Sequence, residues 1–156
     1  MLKDQIIETW RIHNRVHLML LDAISDEGLH STLSARGGGT PARQFTHMHN
    51  LRLLKLEKFS KELRTGLTRI DKDEKIDKAL LKKRLSESGE AMAKCIAQAV
   101  DEGGKVKGFK RGLIPMLGYM ISHESHHRGN IMLTLKQCGH KIPKEISYGI
   151  WAWNQI

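Results

Sequence analysis

Apolar residues recur at intervals of three and four along most of the chain, which is the spacing of one face of an α-helix. The first such stretch predicts a helix from about Leu2 to Ser25, which Asp26-Glu27-Gly28 ends. The following stretch, Leu29 to Gly39, lacks this spacing and finishes in a run of glycines, so it predicts a flexible loop. A connection of this length is a candidate lid or mouth of a binding site.

The second helix has a clear start signal at Thr40-Pro41. Threonine is a favoured N-cap, and proline suits the first helical position because its missing N–H is not needed there. The apolar pattern continues to about Arg64, and Gly66 follows where a C-terminal glycine is expected. The sequence therefore predicts one helix from Pro41 to about Arg64.

Two longer periodic stretches predict the remaining long helices. The third helix is expected from about Asp73 to Asp101, where Gly103-Gly104 stops it. The fourth is expected from about Leu113 to Cys138, with Pro115 in its first turn and Gly139 after its end.

Two shorter segments complete the prediction. Lys105 to Lys110 alternates apolar and polar residues, which predicts a short extended piece across the end of the bundle. After Pro143 the tail predicts a short helix that is rich in tryptophan. Because Trp151 and Trp153 carry large apolar areas, we expect the tail to dock on the bundle or in a dimer interface.

Four long helices with no convincing strand and no internal repeat predict an all-α fold. The expected architecture is an up-and-down four-helix bundle with a short C-terminal helix. The length of 156 residues suits one domain, so we expect residues 1–156 to form a single unit.

The formal net charge of +9 makes nucleic acid a partner to consider. However, the lysines and arginines are spread along the chain. The densest stretch, Lys75 to Arg84, is interleaved with Asp77 and several apolar residues. That pattern is typical of a solvated helix face, so nucleic-acid binding is the least favoured of the functions considered.

The cysteines and the first residues bear on the compartment. Cys95 and Cys138 are too few for a disulfide framework, and each lies in an apolar helical context, so we expect reduced core thiols. The start, Met1 to Gln5, lacks the apolar run of a signal peptide. No window reaches the roughly 18 apolar residues of a membrane span. We therefore expect a cytoplasmic protein without a membrane partner.

The chemistry most clearly indicated by the sequence is metal binding by histidine. The predicted fourth helix contains His123 and His127, which lie four residues apart and therefore stack on one helix face. Two imidazoles in that position can share one metal ion. Apolar residues flank the pair on both sides, so we expect it on a largely buried face of the helix.

A third ligand has to come from another helix, and His47 and His49 are both candidates near the start of the second helix. The residue pattern alone does not separate them. A second pair of histidines at the same spacing, His13 and His17, lies in the first helix. This pair could itself ligate a metal, but we expect these two, with Asn14, to line the same interior as pocket wall or as groups that orient the ligands.

Other side chains near the pair are candidates for acid–base roles. Glu124 adjoins His123 but points about 100° away from it around the helix, and His126 is likewise offset. His123-Glu124-x-x-His127 also has the spacing of zinc proteases, in which the glutamate is the general base. A protease would need substrate-binding strands upstream, and the upstream part of this chain is helical.

These motifs together resemble the DinB-like (YfiT-type) family. The string from His123 to Gly129 is similar to the C-terminal signature of the family. The second helix is similar in having a threonine, Thr40, with a histidine, His47, seven residues later. The first-helix segment from Trp10 to Arg15 is similar as well. The family often has glutamine after Arg-Gly, where this chain has Asn130.

The resemblance, which covers essentially the whole chain, implies a four-helix bundle with a three-histidine divalent metal site at His47, His123 and His127, frequently in a homodimer. Characterised relatives include transferases and isomerases that depend on low-molecular-weight thiols, and others are described as metal-dependent hydrolases. The implied function is a metal-dependent thiol S-transferase or hydrolase that acts on a small molecule. Zinc or nickel is the expected metal, and three imidazoles also accept iron or copper. The alternative is a bundle that binds a metal or ligand without catalysis.

Overall fold

The computed structural model describes all 156 residues. It contains seven helices and no strand. In chain order they are α1 Leu2–Asp22, α2 Asp26–Leu29, α3 Pro41–Phe59, α4 Lys61–Arg64, α5 Lys78–Asp101, α6 Leu113–Gln137 and α7 Lys144–Gly149. The predicted all-α bundle is confirmed, with α1, α3, α5 and α6 as its long helices.

Capping residues set the helix ends. The Thr40 hydroxyl accepts a hydrogen bond from the Arg43 N–H, and Pro41 is the first residue of α3, as predicted. The third long helix begins at Lys78, later than expected, because the Asp77 carboxylate caps it by accepting from the Leu80 N–H. The first long helix ends at Asp22, ahead of the predicted Ser25.

The second long helix is shorter than predicted because it breaks at Ser60. That residue is extended, with φ −155° and ψ 96°, and the single turn of α4 follows it. Gly66 has φ +83°, a left-handed conformation that favours glycine. The segment Lys105 to Lys110 forms turns with one isolated bridge between Val106 and Phe109, where a short extended piece was expected.

Two apolar clusters divide the core along the length of the bundle. The first combines the early part of α1 and α6 with the late part of α3 and α5, at Trp10, Leu56, Met92 and Met120 among others. The second combines the opposite ends of the same helices, at Leu20, Met48, Leu85 and Ile131 among others. Hence α1 and α6 run in one direction and α3 and α5 in the other.

The expected alternation of direction therefore holds between α1 and α3 and between α5 and α6, but not between α3 and α5. The long connection from Ser60 to Asp77 returns the chain to the end at which α3 began. Two side chains of α3 hold this connection. His49 donates to the Thr68 carbonyl at 2.8 Å, and the Asn50 amide bonds both the carbonyl and the N–H of Ile70.

The tail packs against the bundle, but not through Trp151. Ile150 is 2% exposed and buried, whereas Trp151 is 70% exposed with the Arg128 guanidinium 5.9 Å from its ring centre. Arg15 of α1 donates to the carbonyl of Ile156. Trp153 is half-buried. The tail is thus held at Ile150 and Ile156, while the ring of Trp151 remains in solvent.

Both cysteines are free thiols, but only Cys95 lies in the core as predicted, since Cys138 is half-buried. Cys95 is buried, and burial raises its pKa to about 11, which keeps it protonated and unreactive at neutral pH.

No helix in the structure is both long enough and apolar enough to cross a bilayer.

Candidate metal centre

The histidine pair of α6 lies at the edge of the buried face of that helix. The central buried positions are Leu117, Met120, Glu124 and Ile131, which follow each other at spacings of three, four and seven. His123 and His127 flank this row and are half-buried. The pair is therefore more accessible than the sequence predicted, which a site that exchanges small molecules requires.

His47 of α3 meets this pair from across the helix interface. Its Nε2 lies 3.2 Å from the Nε2 of His123, and its ring centre lies 4.7 Å from that of His127. One ligand atom from each of the three histidines falls within 4.8 Å of the others. His47 is exposed, so the group opens to solvent on the α3 side.

His49, the other candidate in the second long helix, lies elsewhere. It is fully buried, its Nδ1 accepts from the Ser88 hydroxyl at 3.0 Å, and its Nε2 donates to the Thr68 carbonyl. Both ring nitrogens are thus occupied by structural hydrogen bonds. Of the two alternatives, only His47 joins the α6 pair.

Gln44 fixes the orientation of one imidazole, a role that sequence reasoning missed. Its amide nitrogen donates to the Gly39 carbonyl at 3.0 Å, and its Oε1 lies 3.3 Å from Nδ1 of His127. A carbonyl oxygen can only accept, so Nδ1 of His127 carries the proton and Nε2 keeps its lone pair. Such a partner is what a metal-binding imidazole usually has. The signal available in the sequence was the spacing of Gln44 from His47, one helical turn earlier.

The electrostatics of the group favour neutral imidazoles. The pKa of His127 is lowered to about 4, first by burial and then by the neighbouring His123, His47 and His126. Burial, and next the nearby His47, also lower the pKa of His123. Neutral imidazole is the form that ligates metal, and the Nδ1–H···Oε1 contact of His127 leaves Nε2 free for it. The three residues fit a divalent ion on this evidence.

The chain matches the DinB family model over residues 1–151, which is nearly its whole length. It belongs to the DinB family. No curated protein and no solved structure matches it. The helical fold and the family match together confirm the resemblance drawn from the sequence motifs.

In this DinB-family chain, Glu124 lies in the core between the two histidines of α6. The Arg52 guanidinium of α3 donates two hydrogen bonds to its carboxylate, with Nε 2.6 Å from Oε1 and Nη2 2.8 Å from Oε2. Burial alone would raise the pKa of Glu124. The Arg52 charge and the hydrogen bonds from Arg52, His13 and His17 outweigh burial and hold that pKa well below its usual value. Glu124 is thus an ionised structural group, and it lacks the free oxygen that the general base of a zinc protease needs.

His13 and His17 contact the same carboxylate instead of lining an open pocket. Their Nε2 atoms lie 2.8 and 3.3 Å from Oε2 of Glu124, and both side chains are fully buried. Burial is the main cause that lowers both pKa values, that of His17 to about 3. We infer that both imidazoles are neutral and that His13 donates its Nε2–H to Glu124. Nε2 of His17 also lies 3.1 Å from Nε2 of His13, and neither Nδ1 has a hydrogen-bond partner. The spacing of His13, His17 and Glu124 would also admit a metal ion.

The two remaining candidate residues from the sequence are Asn14 and His126. Asn14 accepts a hydrogen bond from Nη1 of Arg52 at 2.8 Å, so it supports the buried ion pair. His126 is exposed, accepts from the Asn130 amide at 3.2 Å and places its ring 5.2 Å from that of His127. His126 is therefore the one candidate acid–base group in contact with the histidine cluster.

Arg52 was missed by sequence reasoning although the pattern contained a signal. It falls in register with the buried Phe45, Met48, Leu56 and Phe59 of α3. A charge in that register needs a buried partner. Glu124 is the charged residue in the buried row of α6. One opposite charge in each buried row predicts that Arg52 and Glu124 form an ion pair.

Proposed function

We propose that His47, His123 and His127 hold one divalent metal ion and that the protein is a metal-dependent enzyme. The observation that carries this is the convergence of the three imidazoles, with Nε2 of His47 3.2 Å from Nε2 of His123. Three neutral imidazoles leave the ion its full charge and an open coordination position, the arrangement of catalytic sites. Zinc and nickel are the first candidates, and iron and copper remain compatible with the ligands.

The buried group at His13, His17 and Glu124 is the weaker metal site. Both oxygens of Glu124 already accept hydrogen bonds from the Arg52 guanidinium. A metal ion would have to displace that guanidinium or share a fully buried space with its positive charge. The cluster at His47 has no such cation within hydrogen-bonding distance of its nitrogens.

The proposed reaction is S-transfer from a low-molecular-weight thiol or hydrolysis of a small molecule. When bound, a divalent ion supplies the acidity that ionises a coordinated water or thiol near neutral pH. The chain supplies the rest: Gln44 orients His127, the exposed side of His47 leaves room for substrate, and His126 is placed to hold or move a proton beside His127. Glu124 keeps the α6 histidines in position through Arg52.

Metal analysis of protein purified without a histidine tag tests the proposal. About one divalent ion per chain is expected in the natural protein, and His47→Ala, His123→Ala or His127→Ala should each remove most of it. His30→Ala is the matched control, since His30 is exposed and touches none of the three. Unchanged metal content in all three variants would refute the site.

Turnover assays separate the enzyme from a metal-binding bundle without catalysis. Metal-loaded protein is mixed with a low-molecular-weight thiol and an electrophile, or with small esters and amides. Activity that disappears with the metal and returns on its addition is expected. Stoichiometric metal without turnover on any of these classes would favour the non-catalytic alternative.

We also propose that the protein is a homodimer, as the family resemblance implied. The support is Trp151, a large aromatic that is 70% exposed in the isolated chain. Sedimentation velocity should give twice the chain mass, and Trp151→Ser should shift the distribution toward the monomer. A monomer at all accessible concentrations would contradict this part of the proposal.

A further inference from the structure

A cavity of about 370 Å³ lies beside the histidine cluster. Its walls are the first turns of α3 and the connection that follows α4, and His47 is one of its lining residues. A volume of this size is typical of sites for small ligands. Because His47 belongs to both, a ligand in the cavity would lie next to the proposed metal position.

The charged residues that line the cavity are mainly positive. Arg43, Arg69 and Lys72 contribute three cations against the single carboxylate of Asp71. None of these four side chains makes a hydrogen bond or an ion pair within the chain: the polar contacts of Arg43 and Asp71 run only through their backbone groups. The three cations are exposed and therefore available to an anion from solvent.

The backbone that carries two of these cations is fixed. Ile70, between Arg69 and Asp71, is buried, and its N–H and carbonyl are both bonded to the Asn50 side chain at 3.0 and 2.9 Å. His49 holds the Thr68 carbonyl just before it. The charges of Arg69 and Lys72 thus project from an anchored segment, which reduces the ordering cost of binding.

We propose that this cavity, formed by Arg43, Arg69 and Lys72 beside His47, binds a carboxylate or phosphate group of the small molecule that reacts at the metal centre. The inference rests on the proposed function and names its substrate class: an anionic small molecule. Guanidinium groups suit both anions because their planar N–H donors match two oxygens at once.

The shape of the charged surface favours a small molecule over a nucleic acid. A polymer backbone is bound along a groove or stripe that follows successive phosphates. Here the unpaired cations converge on one concavity, and Asp71 stands among them. That carboxylate would oppose an extended phosphate chain but leaves room for one anionic group.

Titration calorimetry of the metal-free protein at low ionic strength tests the proposal, with inorganic phosphate and succinate as probes. Saturable binding of at least one probe is expected. The double variant Arg69→Gln/Lys72→Gln should weaken it by about tenfold or more, since each loses a charged contact. Asp71→Asn should strengthen it by roughly two- to fivefold, because a like charge is removed.

The matched control is Lys94→Gln/Lys110→Gln, which also removes two positive charges, but at exposed positions outside the cavity. It should leave probe affinity within about twofold, an order-of-magnitude tolerance for a screened distant charge. All four substituted cations are exposed and unpaired, so both double variants should melt at about the temperature of the natural protein. No saturable binding, or equal losses in the two double variants, would overturn the proposal. Binding of a duplex oligonucleotide alone would overturn it too.

The experiment keeps this inference separate from the metal proposal. Metal content of Arg69→Gln/Lys72→Gln should equal that of the natural protein, because neither residue is a ligand. If the probes bind and no metal does, the anion site is supported and the metal centre is refuted. If metal binds and neither probe does, the metal centre stands and the anionic substrate class fails.

Discussion

Arg52 of α3 and Glu124 of α6 form a buried, two-pronged ion pair, with Nε to Oε1 at 2.6 Å and Nη2 to Oε2 at 2.8 Å. Neither side chain is exposed. Glu124 stands between His123 and His127 in the chain, and Arg52 lies on the helix that carries His47. The pair therefore sets the register in which the two helices bring the three histidines together.

Breaking this pair on one side should be costly. Arg52→Met leaves the Glu124 carboxylate buried without its cation, which is expected to cost about 3–5 kcal/mol in free energy of unfolding. The double variant Arg52→Met/Glu124→Met removes both charges and should recover much of that loss. Urea denaturation measures both. A loss below about 0.5 kcal/mol for Arg52→Met, the level of an ordinary surface change, would show that the pair does not stabilise the fold.

Gln44 should affect metal affinity without affecting stability. Gln44→Ala removes the acceptor that keeps the proton on Nδ1 of His127, and a loss of about 10- to 100-fold in metal affinity is expected. Gln44→Glu restores an acceptor and should recover most of the affinity. Competition with a chelator of known affinity gives the values. Gln98→Ala, an exposed substitution on α5, is the control. Equal affinity for Gln44→Ala and Gln98→Ala would remove Gln44 from the site.

The buried histidines should make the fold acid-sensitive. The pKa of His17 is about 3 in the folded chain, below the ordinary value of 6.5, and that of His13 is lowered as well. The unfolded chain binds more protons in this interval, so stability is complete above about pH 6.5 and falls as the pH drops toward 3. Glu124, with its lowered pKa, adds to the loss below 4.5.

Denaturation at a series of pH values measures this dependence. His17→Phe, which cannot be protonated, should flatten the decline between pH 6.5 and 4.5 even if it changes the stability at pH 8. An unchanged slope in His17→Phe would show that protonation of this imidazole is not part of the acid response.

Two glycines within long helices should respond to alanine in opposite ways. A Cβ at Gly89 would lie 2.4–2.7 Å from the Asn14 side-chain atoms, and Trp10 donates to the Gly89 carbonyl at 2.8 Å. Gly89→Ala should therefore destabilise the fold by about 1–3 kcal/mol. Gly118 has open space around the same position, so Gly118→Ala should stabilise by about 0.5–1 kcal/mol. Thermal unfolding ranks the two. Stabilisation by both would mean that α1 and α5 do not approach closely at Gly89.

Much of the fold was predictable because helix periodicity and caps are local. Thr40 and Pro41 defined the start of α3, and the apolar rows defined the four long helices. The break at Ser60 was not predictable, since neither proline nor glycine marks it. The direction of α5 was also missed, because it depends on how the connection before Asp77 packs against α3.

In the candidate site, too, local features were predictable from the sequence, whereas features that depend on helix packing were not. The pairing of His123 with His127 follows from helix geometry alone. The choice between His47 and His49 depended on the resemblance, although His49 falls in register with the buried Phe45 and Leu56. Gln44 escaped notice because its role exists only once α3 and α6 are packed together.

Anomalous scattering from crystals of metal-loaded protein locates the ion and identifies the element in one experiment. One strong peak is expected within coordination distance, about 2.0–2.1 Å, of a nitrogen on each of His47, His123 and His127. A peak among His13, His17 and Glu124, or no peak at any histidine, would contradict the proposed metal site.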